Sequence, residues 1–248
     1  MTAVFVHGNP ETDAIWGPLL ARLERADVVC LSPPGFGAPA PEGWGATRAE
    51  YVAWLAGELE AIGHPVDLVG HDWGGGHVVG LALTRPDLIR SWCTDIAGVF
   101  HPDYVWHDMA QLWQTPGAGE EAVAGMVDAP LADRVALYEG LGLPPAMAAE
   151  IAPWLDQTMG RCILALYRDA AQPGLAEAAA LLPGLGARPG LVLVAAEDTF
   201  VGTEEMARWT AEQAGAAVSV LDGVGHWWMV QDPGRGAAAL EAFWAGLG

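Results

Sequence analysis

The run Val66-Asp67-Leu68-Val69-Gly70-His71-Asp72-Trp73-Gly74-Gly75 reads as a buried strand, a sharp turn and the start of a helix. Such an elbow constrains a fold strongly, because it belongs at the end of a central parallel strand. Gly70 and Gly74, two residues before and two after Asp72, allow the strained turn that lifts the middle side chain above the sheet edge. The identity of that side chain decides the chemistry. A serine attacking a saturated carbon leaves an ether that water does not readily cleave, whereas an aspartate leaves an ester that a second, base-assisted step hydrolyses. Asp72 therefore suits an alkyl electrophile better than an acyl one. The same residue also fits a plain helix N-cap, and context has to separate the two.

Three further segments supply that context. His7-Gly8-Asn9-Pro10 follows the short apolar strand from Ala3 to Val6, and Asn9 has a backbone N–H and a side-chain amide to offer toward the elbow as an oxyanion or anion site. The apolar run Gly190 to Ala196 ends in Glu197-Asp198-Thr199, and Val218 to Leu221 is followed by Gly225-His226. Nucleophile, acid and histidine thus occur in the order Asp72, Asp198, His226. With this order the chain resembles the α/β-hydrolase superfamily, and within it the branch with an aspartate nucleophile, the epoxide hydrolases and haloalkane dehalogenases. The resemblance covers almost the whole chain.

At 248 residues the chain suits one large α/β unit with an insertion. Hydrophobic residues make up 52% and charged residues 17%, which excludes a disordered chain. The formal net charge is −20 and every basic residue is arginine, with no stripe to hold phosphates. Nucleic acid is excluded as a partner, anionic membrane is repelled, and a neutral, apolar small molecule is the expected substrate. Cys30, Cys93 and Cys162 stand apart in apolar contexts without metal-ligand spacing and read as reduced core thiols. Neither a cofactor nor a metal is implied. No apolar run reaches the roughly 18 residues of a membrane span, and the start carries no basic or cleavable leader, so a cytoplasmic location is expected.

Apolar runs alternate with helical patterns: a strand from Ala3 to Val6, a helix through Trp16 to Leu23, a strand from Asp27 to Leu31, a helix through Tyr51 to Ala61, then Val66 to Val69. After the elbow a helix through Val78 to Thr84 precedes a strand around Ser91 to Ile96. This predicts a mostly parallel sheet with helices on both faces. Relative to the family it resembles, the antiparallel strands that precede the His-Gly-x-Pro strand have no room, so the resemblance implies a sheet shortened at its N-terminal side. Residues 101–188 break into proline-punctuated helices and read as a cap inserted in a core formed by 1–100 and 189–248. The core resumes with Leu191 to Ala196, a helix through Glu204 to Ala214, Val218 to Leu221, and a helix through Ala237 to Trp244.

The resemblance implies roles for these residues. Asp72 is the nucleophile, His226 activates water, and Asp198 orients His226; Asp95, near the end of the strand before the cap, is the alternative acid. The Trp73 N–H and a donor from the Asn9 loop form the oxyanion site, or with a halide the anion cradle. Ala165-Leu166-Tyr167-Arg168 resembles the cap motif whose tyrosine protonates an opening epoxide, while the companion tyrosine is replaced by Trp113. Tyr104 is a substitute without a spacing argument to place it. Asn9 paired with Trp73 resembles the halide site of dehalogenases, whereas Glu11, the Gly225-His226-Trp227-Trp228 context and Tyr167 favour epoxide hydrolysis, which is the expectation adopted. Trp106, Trp113, Trp154, Trp227 and Trp228 are expected around an apolar pocket. A non-catalytic ligand-binding protein on this scaffold is the third reading, opposed by the intact Asp72, His226 and Asp198. An esterase is disfavoured by the lack of Ser or Cys at the elbow.

Overall fold

A computed structural model describes residues 1–248, apart from the side chain of Ala176. The chain begins with β1 (Ala3–Val6), a 3₁₀ turn at Asp13–Trp16, α1 (Gly17–Leu20), β2 (Val28–Leu31), α2 (Arg48–Ile62), β3 (Val66–Gly70), α3 (Trp73–Thr84) and β4 (Ile89–Thr94). It then leaves the sheet for α4 (Asp108–Gln114), α5 (Ala118–Val127), α6 (Leu131–Leu141), α7 (Pro145–Ile151), α8 (Gln157–Asp169) and α9 (Gly174–Ala178). It returns through β5 (Gly190–Ala195), α10 (Glu204–Ala214), β6 (Ala217–Leu221), α11 (Trp228–Gln231) and α12 (Pro233–Ala245). The strands form one sheet in the order β2-β1-β3-β4-β5-β6, and every pairing is parallel. No helix is long and apolar enough to cross a membrane among the described residues.

β1 and β3 are buried along their whole length, as continuous apolar runs covered on both faces must be. Asp67 breaks the apolar run of β3. Its carboxylate is fully buried and is held by Arg25 at 2.6 Å, Arg90 at 2.6 Å and Ser91 at 2.6 Å, so the charge is neutralised where it is desolvated. α2 starts at a capping box in which Thr47 Oγ1 accepts the Glu50 N–H and Glu50 accepts the Thr47 N–H, and it stops at Gly63 in the left-handed region.

α3 begins at Trp73, directly after Asp72, where the elbow reading places a helix start, although Gly74, Gly75 and Gly76 have low helix propensity. Those glycines answer a packing demand: a Cβ on Gly74 would run into the backbone carbonyl of Val6 on β1. α12 begins at Pro233, where Asp232 caps by accepting the Arg235 N–H at 3.1 Å. The first predicted helix is shorter than expected, a 3₁₀ turn running into the single turn of α1.

Helices α4 to α9 carry their own logic. In α8 the buried residues Met159, Cys162, Ile163, Leu166 and Tyr167 recur at helical spacing, so the stripe that packs inward ends on Tyr167. α6 is tied to the loop after β1 by Tyr138, whose hydroxyl donates to the Pro10 carbonyl at 2.5 Å. The three cysteines are free; Cys93 and Cys162 are buried, while Cys30 is partly exposed.

Candidate active site

Strand register assembles the site. Val6 pairs with Gly70 and Gly70 with Thr94, so the residues just beyond the ends of β1, β3 and β4 (Asn9, Asp72 and Asp95) emerge side by side. Ala195 pairs with Leu221, which brings the loops bearing Asp198 and His226 together. The crevice beyond the carboxyl ends of parallel strands is where such sheets place their sites.

Asp72 occupies φ 48°, ψ −127°, a conformation strained for a residue with a Cβ. The turn is held by His71 N–H to the Val6 carbonyl at 3.0 Å and by Asp72 N–H to Asp95 Oδ1 at 3.1 Å. One carboxylate oxygen of Asp72, Oδ1, accepts the Asn9 N–H at 2.9 Å. The other, Oδ2, faces His226 Nε2 at 3.8 Å, too far for a hydrogen bond. Gly8 is required beside it, since a Cβ there would occupy the Asp72 carboxylate. Burial pushes the Asp72 carboxyl up to about 6, against the counter-pull of His226.

His226 Nδ1 meets Asp198 Oδ2 at 2.8 Å, and Asp198 Oδ1 accepts the Phe200 N–H at 2.8 Å. Burial opposes the charged imidazole, but the Asp198 charge and hydrogen bond outweigh it and the His226 pKa rises. For Asp198 burial likewise favours the neutral acid, yet His226 prevails and its pKa is lowered. With Nδ1 engaged, Nε2 is the nitrogen turned toward Asp72.

Asp95 is engaged elsewhere. Its Oδ2 meets His71 Nδ1 at 2.5 Å and accepts the Trp228 indole N–H at 2.7 Å. On its other side His71 Nε2 meets Glu11 Oε1 at 3.2 Å, and Glu11 Oε1 also accepts the indole N–H of Trp227. His71 is fully buried, and although burial disfavours its charge, the two carboxylates hold its pKa well above 6.5. Burial pulls Glu11 upward too, but His71 brings it down to about 2. Glu11, His71 and Asp95 therefore form a buried ion triad under the elbow. From the sequence, His71 beside the nucleophile is expected to pack or hydrogen-bond locally, and Glu11 has no chemistry of its own; the ion partners of both come from the structure. The signal was two ionisable residues next to the nucleophile and the His-Gly-Asn-Pro loop, unreadable without the register.

Donor atoms of Glu11, His71 and His226 lie within 4.8 Å of one another. Both His71 nitrogens face carboxylates and His226 Nδ1 faces Asp198, which leaves Glu11 Oε2 and His226 Nε2 as the unpartnered donor atoms of the set, one fewer than three ligands.

Two cavities meet at Asp72. A small one of about 30 Å³ is bounded by Asn9, Asp72, Trp113, Tyr167, His226 and Trp227. A larger, apolar one of about 520 Å³ shares Asp72, His107, Tyr167 and Phe200 with it and adds Trp73 and Trp106. Tyr167 packs edge-on against Trp73 at 5.2 Å and Trp113 at 4.8 Å between ring centroids. Burial, and then the Asp72 charge, raise its pKa well above 10. Asn9 is 4% exposed, and neither its Nδ2 nor its Oδ1 has a hydrogen-bond partner. Tyr104 donates to the Phe200 carbonyl at 2.7 Å. His107, which the sequence reading passed over, lines both cavities, and burial brings it down to about 4.

Two of the expected pocket tryptophans stand elsewhere. Trp154 is 49% exposed, in a 3₁₀ turn after α7 that Pro153 opens, and lines neither cavity. Trp228 lies under the site, against Trp16 at 6.2 Å, with its N–H spent on Asp95. Adjacent residues at a helix start point in different directions, so Trp227 reaches the small cavity while Trp228 turns into the core.

A parallel sheet, an elbow after its third strand and loops converging at the strand ends define the architecture of a hydrolase. The sequence profile of the Alpha/beta hydrolase family matches residues 3–240, and the chain belongs to that family. Among solved structures it is similar to haloalkane dehalogenase DbeA from Bradyrhizobium elkani, at 22% identity over 99% of this chain and 90% of that one, with a TM-score of 0.74. It is similar also to the enol-lactonase from Burkholderia xenovorans, at 21% identity, 98% and 91% coverage and a TM-score of 0.71. E-2-(Acetamidomethylene)succinate hydrolase is matched at 19% identity, 98% and 90% coverage and a TM-score of 0.74. At such identities the likeness is one of fold. No curated protein matches the sequence.

Proposed function

We propose that the protein hydrolyses an alkyl electrophile through a covalent ester on Asp72, with an epoxide opened to a diol as the preferred reaction. The observation that carries this is the Asp72 carboxylate itself, with Oδ1 tethered by the Asn9 N–H and Oδ2 free and facing His226 Nε2 at 3.8 Å. Residues 101–188 serve as the cap that brings Tyr167 to the nucleophile.

In the first step Oδ2 attacks the epoxide carbon, the carbon–oxygen bond breaks, and its electron pair takes the Tyr167 proton. In the second step His226 Nε2 removes a proton from water, which attacks the Asp72 carbonyl carbon. The small cavity between Asp72 and His226, about 30 Å³, has room for that water. The oxyanion forms on Oδ1, where the Asn9 N–H already sits and where the Trp73 N–H, at the first position of α3, has no partner within the helix. Collapse releases the diol oxygen, which takes the proton from His226; the carboxylic acid left on Asp72 ionises to restore the nucleophile, and Tyr167 regains a proton from solvent. Asp198 holds the His226 tautomer and stabilises its cation.

A second reading, haloalkane dehalogenation, is favoured by the unpartnered Asn9 amide in the same buried chamber. A departing halide needs a donor and no proton. The Trp73 ring that would complete the cradle instead packs edge-on against Tyr167 at 5.2 Å, which is why the epoxide is preferred.

The test is the His226→Gln variant incubated with terminal epoxides and with alkyl bromides. Mass spectrometry is expected to show a stable hydroxyalkyl ester on the Asp72 peptide with epoxides, and wild-type enzyme in oxygen-18 water is expected to incorporate label at Asp72. An alkyl adduct from bromides alone selects the second reading, and turnover without adduct or label overturns both.

A further inference from the structure

The larger cavity does not end at the reacting carboxylate. From Asp72, Trp73 and Tyr167 it continues between α2 and α3 and reaches Thr84, the last residue of α3. At about 1.5 Å of rise per residue, Trp73 and Thr84 stand roughly 16 Å apart, so the groove follows nearly the whole helix. α3 lines it with Gly76, Gly80 and Leu83, and α2 with Ala49, Val52, Ala53 and Ala56, at the i, i+3, i+4 and i+7 spacings of one helix face. Gly80 admits Val52, whose Cγ2 a Cβ there would meet at 2.6 Å, so the two helices touch and form one side of the groove. Leu175 and Leu181 close a further side.

The inner end holds Asp72, His107 and Tyr167, together with His77, which burial keeps neutral by bringing it down to about 3. Arg48, at the start of α2, and Arg85, just beyond α3, also line the groove, but neither guanidinium is free. Arg48 pairs with Asp169 at 3.0 Å, and Arg85 with Asp87 at 2.7 Å and Glu60 at 2.5 Å. A chain ending in a carboxylate finds no uncommitted cation there.

We propose that this groove binds the straight, uncharged alkyl chain of the substrate, with the reactive terminal carbon at Asp72 and the tail running along α3 toward Thr84. Carbon–carbon bonds of about 1.5 Å in a zigzag fill roughly 16 Å with about a dozen carbons. The substrate class is thus a long-chain terminal epoxide, or a long-chain primary halide under the second reading. This rests on the reaction assigned to Asp72, and the test separates the two.

Straight-chain alcohols from 1-butanol to 1-decanol probe binding without turnover, through the tryptophan fluorescence of the whole chain. The dissociation constant is expected to fall about two- to fourfold per added methylene. In parallel, kcat/KM for 1,2-epoxyalkanes and 1-bromoalkanes of the same lengths rises with chain length for whichever series is turned over. Ala53→Phe fills the groove from a solvent-facing position of α2 and flattens both dependences; Ala56→Leu does the same one turn further on and serves if the first variant fails to fold. Chain-independent binding, or a length dependence that survives both fillings, overturns the groove. Length-dependent alcohol binding with no turnover of any epoxide or bromide keeps the groove and discards the reaction.

Discussion

Asp95 accepts the backbone N–H of Asp72 at 3.1 Å through one carboxylate oxygen, while its other oxygen meets His71 Nδ1 at 2.5 Å. The strained turn that presents the nucleophile is therefore pinned by a charged group belonging to the neighbouring strand. Asp198 is the carboxylate that reaches His226. The two acids weighed from the sequence thus have separate partners, which makes their contributions separable by experiment.

Asp198→Ala is expected to slow hydrolysis of the Asp72 ester by about 10³- to 10⁴-fold, by analogy with loss of the orienting acid in other triads. Formation of the ester changes far less, so the intermediate accumulates in single-turnover experiments. Asp95→Asn is expected to lower the melting temperature and slow ester formation instead. The reverse pattern would transfer the orienting role to Asp95.

The His71→Leu substitution leaves Glu11 and Asp95 buried without the cation between them. Breaking a buried ion group in this way costs about 3–5 kcal/mol, to be read as a lower urea midpoint at pH 7. The Glu11 contribution has a defined sign. Its folded pKa lies at about 2, below its usual 4.5, so the stability it lends is present above about pH 4.5 and is lost as the pH falls toward 2. A His71→Leu variant as stable as the wild type would show that the triad carries no net stabilisation.

Asp72 runs the other way. Its folded pKa is about 6 against 3.8 in the unfolded chain, so the folded state binds the proton more tightly. Stability is then lost as the pH rises from about 4 through 6, by up to about 3 kcal/mol. Asp72→Asn removes that ionisation. Thermal melts are expected to show the inactive variant more stable than wild type at pH 7.5 and level with it below pH 4. A variant no more stable at pH 7.5 would contradict a desolvated nucleophile.

Tyr167→Phe is expected to depress ester formation from epoxides by about 10²-fold or more, the usual worth of a general acid, with hydrolysis of the ester little changed. Asn9→Ala is expected to matter most for alkyl halides, through weaker bromide inhibition. Full epoxide activity in the Tyr167→Phe variant would remove the tyrosine as the proton donor.

The alternation of strands and helices, the elbow and the chain order of Asp72, Asp198 and His226 were readable from residues because they depend on local pattern. A short apolar run flanked by glycines announces a buried parallel strand wherever it sits. The elbow marked the start of α3, but not that Gly74 answers to a carbonyl on β1 rather than to helix propensity. Trp227 and Trp228 look alike in sequence, yet one reaches the small cavity and the other is spent on Asp95.

What the sequence determined by itself is thus the fold and the residues at its strand ends, both encoded in short-range periodicity and turn chemistry. Tertiary structure alone decided which acid meets which histidine, that His71 lies between two carboxylates, and that α2 and α3 line one groove. Each of these depends on register and helix packing between segments distant in the chain. No local pattern specifies a distance across two strands or the empty space between two helices.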